Sequence, residues 1–208
     1  MEIKKTCLRD CYIIKPDIFG DERGYFSPFF IKEKINKIAP YEIFKDVVQA
    51  NRSLSSKGTV RGLHYQKNPK CQAKIVEVLN GSAVDVVVDM RKDSETFGKH
   101  TSVLLSSLNK RQLLVPRGFA HGFVSLEDNT LFQYLVDNDY AKELEGGIFW
   151  NDPKLGIDWE EIFSSFGIEE PLLSPKDQIH GTLEEKIQNN EIDFKCPVKK
   201  LTIEQRRY

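Results

Sequence analysis

The sequence predicts an all-β domain of the sandwich, jelly-roll or small-barrel kind, and three observations carry that reading. From about residue 45 to 137 the chain falls into short runs rich in β-branched residues: "DVVQANRS", "TVRGLHYQ", "AKIVEVL", "AVDVVVDM", "TSVLLSS", "RQLLVP", "HGFVSLE" and "LFQYLVD". Turn residues separate the runs and no helical period lies between them, which is the pattern of packed or closed antiparallel sheets. The third observation is Asn80-Gly81, a favoured two-residue hairpin signal, which predicts that "AKIVEVL" and "AVDVVVDM" pair as antiparallel neighbours.

The remaining elements are few. "FIKEKINKIAP" (Phe30 to Pro40) and "DWEEIFSSFG" (Asp158 to Gly167) are short helix candidates. The length, 208 residues, suits one domain with a full core. Residues 1–178 are assigned to that domain. Residues 179–208 are charged and poor in apolar runs apart from "IDFKCPV", and are read as either a mobile tail or an arm packed on a partner.

Within the strands, a few residues do not suit a plain core. Period-2 alternation sets Val84 and Val86 on one face and Asp85 and Val87 on the other, so Asp85 is either outward-facing or functional. Lys74 shares a face with Val76 and Val78, where a lysine either snorkels at a strand end or faces an anion in a cavity. Arg61 and His64 are three apart and point to opposite faces of a regular strand. Either a bulge at Gly62 re-aims one of them, or Arg61 acts at the rim.

Composition excludes several function classes. Lys plus Arg number 30 and Asp plus Glu 31, so no bulk charge points to nucleic acid or an anionic membrane. No run of about 18 apolar residues is present, and the N-terminal stretch lacks a signal-peptide pattern, so a cytoplasmic protein is expected. Cys7, Cys11, Cys71 and Cys196 are too scattered for a disulfide framework or a zinc site and are read as free thiols. The histidines are His64, His100, His121 and His180, with no His-x-His pair, so neither a metal nor another cofactor is expected and acid–base chemistry by imidazole is the alternative.

Taken as an ordered set, "DERGYF", "QANRS", "RGLHYQ", "QAKIVEVLNGSAVDVVVDMRKDSETFGKH", "NKRQLLVPRGFAHGF", "EGGIFWNDPKLGIDW" and "LLSPKDQ" resemble the dTDP-4-dehydrorhamnose 3,5-epimerase family over about residues 10–178. The resemblance implies a cupin-type jelly roll (double-stranded β-helix) with a few short helices. It further implies a metal-independent homodimer acting on a nucleotide-linked 4-keto-6-deoxy sugar, most simply dTDP-linked. By position in these motifs, His64 resembles the family's base and Asp177 the carboxylate that orients it. Lys74 would stabilise an enolate oxygen with His121 nearby, and Tyr134 would return a proton from the other face.

On the binding side, Arg61 and Arg23 match diphosphate ligands, where a planar fork suits phosphate oxygens. Gln49, Asn51, Glu145 and Lys176 match polar sugar or nucleotide contacts. Tyr140 matches the residue that stacks on thymine, and Phe19 the residue that reaches the base from the other subunit. The periphery departs from the family pattern at Pro28, Leu135 and Asp139. Those departures leave two alternatives: an epimerase that inverts one centre only or takes a GDP- or CDP-linked sugar, and a non-catalytic sugar-nucleotide-binding cupin.

Overall fold

The computed structural model describes residues 1–39 and 41–197. All eight runs read from the sequence form strands. They are β5 (Gln49–Ser55), β6 (Val60–Gln66), β7 (Lys74–Asn80), β8 (Ser82–Asp89), β9 (His100–Ser106), β10 (Gln112–Val115), β11 (Phe119–Ser125) and β12 (Thr130–Val136). Short strands add to them: β1 (Glu2–Lys5), β2 (Tyr12–Lys15), β3 (Phe19–Asp21), β4 (Gly24–Phe26) and β13 (Glu145–Gly147). Two antiparallel sheets result, in the orders β1-β2-β10-β7-β12-β5 and β13-β6-β11-β8-β9, with β3 and β4 as a separate ribbon.

The hairpin expected at Asn80-Gly81 does not form. β7 pairs with β10 and β12, whereas β8 pairs with β9 and β11 in the other sheet. The turn therefore carries the chain from one sheet to the other, with Gly81 at φ +76°. Each strand is paired on both sides within its own sheet, and Val76 and Val78 of β7 meet Ala83 and Val87 of β8 in one cluster between the sheets.

Two further clusters cover the outer faces. Val84, Val86 and Val88 of β8 pack with Trp150 and Trp159 on one side, and the Trp159 indole N–H donates to the Trp150 carbonyl at 2.8 Å. Ile14, Ile75 and Leu114 pack with Ile35 and Phe44 on the other. β8 is thus buried on both faces, which explains an apolar run interrupted only by Asp85 between Ala83 and Val88.

The helices are shorter than their sequence patterns. α1 (Lys32–Asn36) occupies the middle of the 30–40 candidate, whose Pro40 lies outside the described residues. α2 (Trp159–Ser165) is started by Asp158, whose side chain accepts from the Glu161 N–H. No helix among the described residues is long and apolar enough to cross a membrane.

A third helix, α3 (Leu183–Gln188), forms where the sequence suggests a tail. Thr182 and Glu185 close a capping box at its start. Leu183, Ile192 and Phe194 are buried in the same cluster as Trp150 and Trp159, so residues 179–197 pack on the chain's own core.

Candidate active site

The predicted residues converge because of one irregularity in β6. His64 lies opposite His121, and Arg61 lies opposite Phe123, so three residues advance on β6 while two advance on β11. That is a bulge on β6, and Gly62 sits in it at φ +132°, a conformation side-chain-bearing residues seldom adopt. The strands also approach closely there: a Cβ on Gly122 would lie 2.5 Å from the Arg61 carbonyl oxygen and 3.0 Å from Gly62 Cα. The extra residue settles the alternation problem, since Arg61 and His64 line one cavity.

That cavity, about 320 Å³, opens between the two sheets and adjoins a second of about 290 Å³; both are walled by His64, Lys74 and Tyr134. His121 and Asp177 line the first with Arg61 and Lys176. Gln49, Asn51, Tyr140 and Glu145 line the second. Arg23 and Phe19 line neither. They stand on the β3–β4 ribbon, where the Arg23 side chain is 86% exposed and paired with Asp21, and Phe19 is exposed against Phe26.

From the five-stranded sheet, His64 Nε2 meets Asp177 Oδ1 at 2.5 Å, and the other oxygen of Asp177 accepts from Ser174 Oγ at 2.7 Å. Burial opposes ionisation of Asp177, but these hydrogen bonds outweigh it and hold the carboxyl below its ordinary range. Asp177 is therefore a carboxylate at neutral pH. With Nε2–H donated to it, the Nδ1 lone pair of His64 is left as the basic site.

Next along the same sheet, His121 Nε2 meets Asp85 Oδ2 at 2.8 Å. Both are buried, and burial lowers the basicity of the imidazole while raising the carboxyl's pKa. His121 is thus held neutral, as a hydrogen-bonding group rather than a cation.

From the six-stranded sheet come Lys74 and Tyr134. The Lys74 ammonium is 6.0 Å from the centre of the Tyr134 ring, and burial pulls its pKa down to about 8. At neutral pH it is still charged, yet poorly solvated, which makes it a strong partner for an oxyanion. Burial also keeps the Tyr134 phenol above its usual value and hence protonated, although Arg61 works in the opposite direction.

At the rim, Tyr140 Oη donates to Glu145 at 2.8 Å, and Lys176 pairs with the same carboxylate. Lys70 and Asp139, the latter a departure from the family pattern, pair at 2.9 Å.

Sequence reasoning missed Ser174, which braces Asp177, and Ser53, whose buried hydroxyl lines the cavity with no partner among the described residues. It raised Asp85 only as one of two options. Ser53 had a legible signal, since alternation on β5 places it on the face that carries Gln49 and Asn51.

Fold and cavity together define a cupin-type jelly roll with ionisable side chains on both walls of an inter-sheet pocket. Known proteins narrow the class. The family model described as dTDP-4-dehydrorhamnose 3,5-epimerase matches residues 5–185, and the chain belongs to that family. It is 43% identical over 188 residues to the dTDP-4-dehydrorhamnose 3,5-epimerase of Escherichia coli, covering 90% of this chain and 97% of the relative. Among solved structures it is similar to the dTDP-4-dehydrorhamnose 3,5-epimerase of Elizabethkingia anophelis, at 46% identity and a TM-score of 0.82, covering 89% and 98% of the two chains. The dTDP-6-deoxy-D-glucose-3,5-epimerase of Legionella pneumophila, solved with dTDP-4-keto-L-rhamnose, gives 39% identity and a TM-score of 0.84, covering 95% and 99%.

Proposed function

We infer that this protein is a 3,5-epimerase of dTDP-4-keto-6-deoxyglucose, giving dTDP-4-keto-L-rhamnose for cell-surface polysaccharide. The observation that carries the reading is the division of labour across the cavity: a carboxylate-bound imidazole on one sheet, and a phenol and a buried ammonium on the other.

A hydrogen beside a ketone is acidic because the resulting charge spreads onto the carbonyl oxygen. His64, oriented by Asp177, takes the proton; Lys74, with the neutral His121 beside it, stabilises the enolate oxygen; Tyr134 returns a proton from the opposite wall. Carbons 3 and 5 both flank the C4 ketone, so one site serves both. Arg61 and Lys176 supply positive charge toward the diphosphate, with Gln49, Asn51 and Glu145 as polar contacts and Tyr140 as the platform for thymine.

The exposed β3–β4 ribbon supports a homodimer, and a cytoplasmic location belongs to the same reading. Phe19, Tyr25 and Phe26 are solvent-facing in one chain, and on this reading they and Arg23 complete the cavity of a second copy.

The test is incubation with dTDP-4-keto-6-deoxyglucose in D₂O, followed by NMR and mass spectrometry of the sugar. Deuterium at both C3 and C5, absent with His64→Ala, is the expected result. Label at one carbon only would make the protein a one-centre epimerase, and none would refute this substrate.

A further inference from the structure

His180 has no part in the chemistry just described, yet the fold reserves a place for it. Gly147 lies opposite His64 across the β13–β6 pair, and it has no side chain. A Cβ at that position would fall 2.5 Å from His180 Nε2 and 2.6 Å from its Cδ2. Only glycine there lets the ring lie against the strand beside His64, and the two imidazoles meet edge to face with centroids 5.7 Å apart.

His180 Nε2 is buried and has no hydrogen-bond partner among the described residues. A buried polar nitrogen left in that state is costly, so its retention calls for a reason. One ligand atom from each of His64, Asp177 and His180 lies within 4.8 Å of the others.

We propose that His64, Asp177 and His180 form a site for a borderline divalent cation such as Zn²⁺, and that its occupancy switches the base off. Two imidazoles and a carboxylate are a common donor set for such ions, with a fourth position left to water. At metal–ligand bonds of about 2.1 Å, tetrahedral donors sit roughly 3.4 Å apart. From a spread of up to 4.8 Å the most distant donors close by about 1.4 Å, and the His64–Asp177 pair, at 2.5 Å, opens by about 0.9 Å to admit the ion. The ion displaces the proton that His64 Nε2 donates to Asp177, and that proton passes through water to Nδ1 of the same neutral imidazole, so the lone pair that would abstract the substrate proton is capped. The ion also takes the carboxylate and the imidazole out of the arrangement that proton abstraction needs.

Binding itself does not depend on the proposed substrate; only the inhibitory consequence rests on that reading. The experiment uses full-length, chelator-treated protein titrated with Co²⁺ and followed by visible absorption, with Zn²⁺ titrated by calorimetry. Tetrahedral cobalt bands at one equivalent per chain are expected, free of the near-ultraviolet thiolate absorption that binding at Cys7 would give. His180→Phe keeps a ring over Gly147 but offers no donor. It should unfold at the wild-type temperature and bind at least the ~10–100-fold more weakly that even an outer-sphere change costs.

Proton exchange into dTDP-4-keto-6-deoxyglucose should stop with Zn²⁺ in the wild type, resume on adding a chelator, and resist the same Zn²⁺ in His180→Phe. Equal metal affinity of the two proteins, or no cobalt spectrum in the wild type, would overturn the site. Failure of both proteins to turn over this sugar would sink the substrate assignment and leave the cobalt titration to decide the site.

Discussion

Replacing Lys74 with methionine should make the protein more stable and nearly inactive, and the reasoning rests on one buried ammonium. The side chain has about the same length, so the change removes charge with little change in volume. Burial lowers the Lys74 pKa from 10.5 to about 8. At about 1.36 kcal/mol per pKa unit, the folded state gives up on the order of 3 kcal/mol at pH 7 to keep this group charged. The residue is only partly buried as a whole, and losing its charge also leaves Asp85 with less support. A gain of about 1–3 kcal/mol is therefore expected for Lys74→Met.

The pH dependence fixes the sign. Below pH 8 folded and unfolded chains both hold the proton, and the cost is present in full. Between pH 8 and 10.5 the unfolded chain binds more protons than the folded one, so wild-type stability rises with pH. The advantage of the variant should then shrink and vanish near pH 10.5. Urea unfolding of both proteins at pH 7, 9 and 10.5 measures this directly. Wild-type activity should fall above pH 8 as the ammonium is lost, and exchange in Lys74→Met should drop about 10²–10³-fold, as for removal of one oxyanion donor. A variant less stable than wild type at pH 7, or a stability gap that does not change with pH, would refute the argument.

Tyr134→Phe should uncouple exchange from inversion: His64 still removes a proton and returns deuterium to the same face, so NMR should show label at carbons of unchanged configuration. Asp177→Asn removes the anion bonded to His64 Nε2 at 2.5 Å and should slow exchange at both carbons about 10²–10⁴-fold; label persisting at one carbon at the wild-type rate would reveal a second base. Gly122→Ala drives a methyl into the Arg61 carbonyl, which a backbone cannot easily evade. It should cost ~1–3 kcal/mol in urea unfolding and more in activity, since the same shift moves Arg61 and His64.

What the sequence made legible follows from the range over which each signal acts. Strands of seven or eight residues declared themselves by their β-branched runs, whereas alternation marked Lys74 and Asp85 as out of place without deciding which way they face. β3, β4 and β13 are three residues each, too short for any period to show. α3 was passed over in a charged segment although "TLEE" carries a capping box. Asn80-Gly81 misled because a local turn signal cannot say which sheet receives the next strand. The His64–Asp177 contact spans 113 positions and leaves no trace in spacing or periodicity; only the family motifs brought the two together. The bulge that lets Arg61 and His64 share a cavity was suspected from Gly62, but pairing with β11 was needed to reveal it.

The order in which the site is assembled along the chain has its own consequence. Asp177 is delivered by the loop between α2 and α3, and the segment that follows is anchored by Leu183, Ile192 and Phe194 against the outer face of the five-stranded sheet. Upstream, Leu172 bonds to Gly58 and Val60 at the start of β6, pinning the other end of the loop. Synthesis therefore brings out every strand of both β-sheets, with Lys74, Tyr134 and His64, before the carboxylate that pairs with His64 has emerged. A chain that stops short of Ser174 lacks the wall that Ser174, Lys176 and Asp177 give the cavity, together with the carboxylate bonded to His64, so the last stretch to dock is what completes the site.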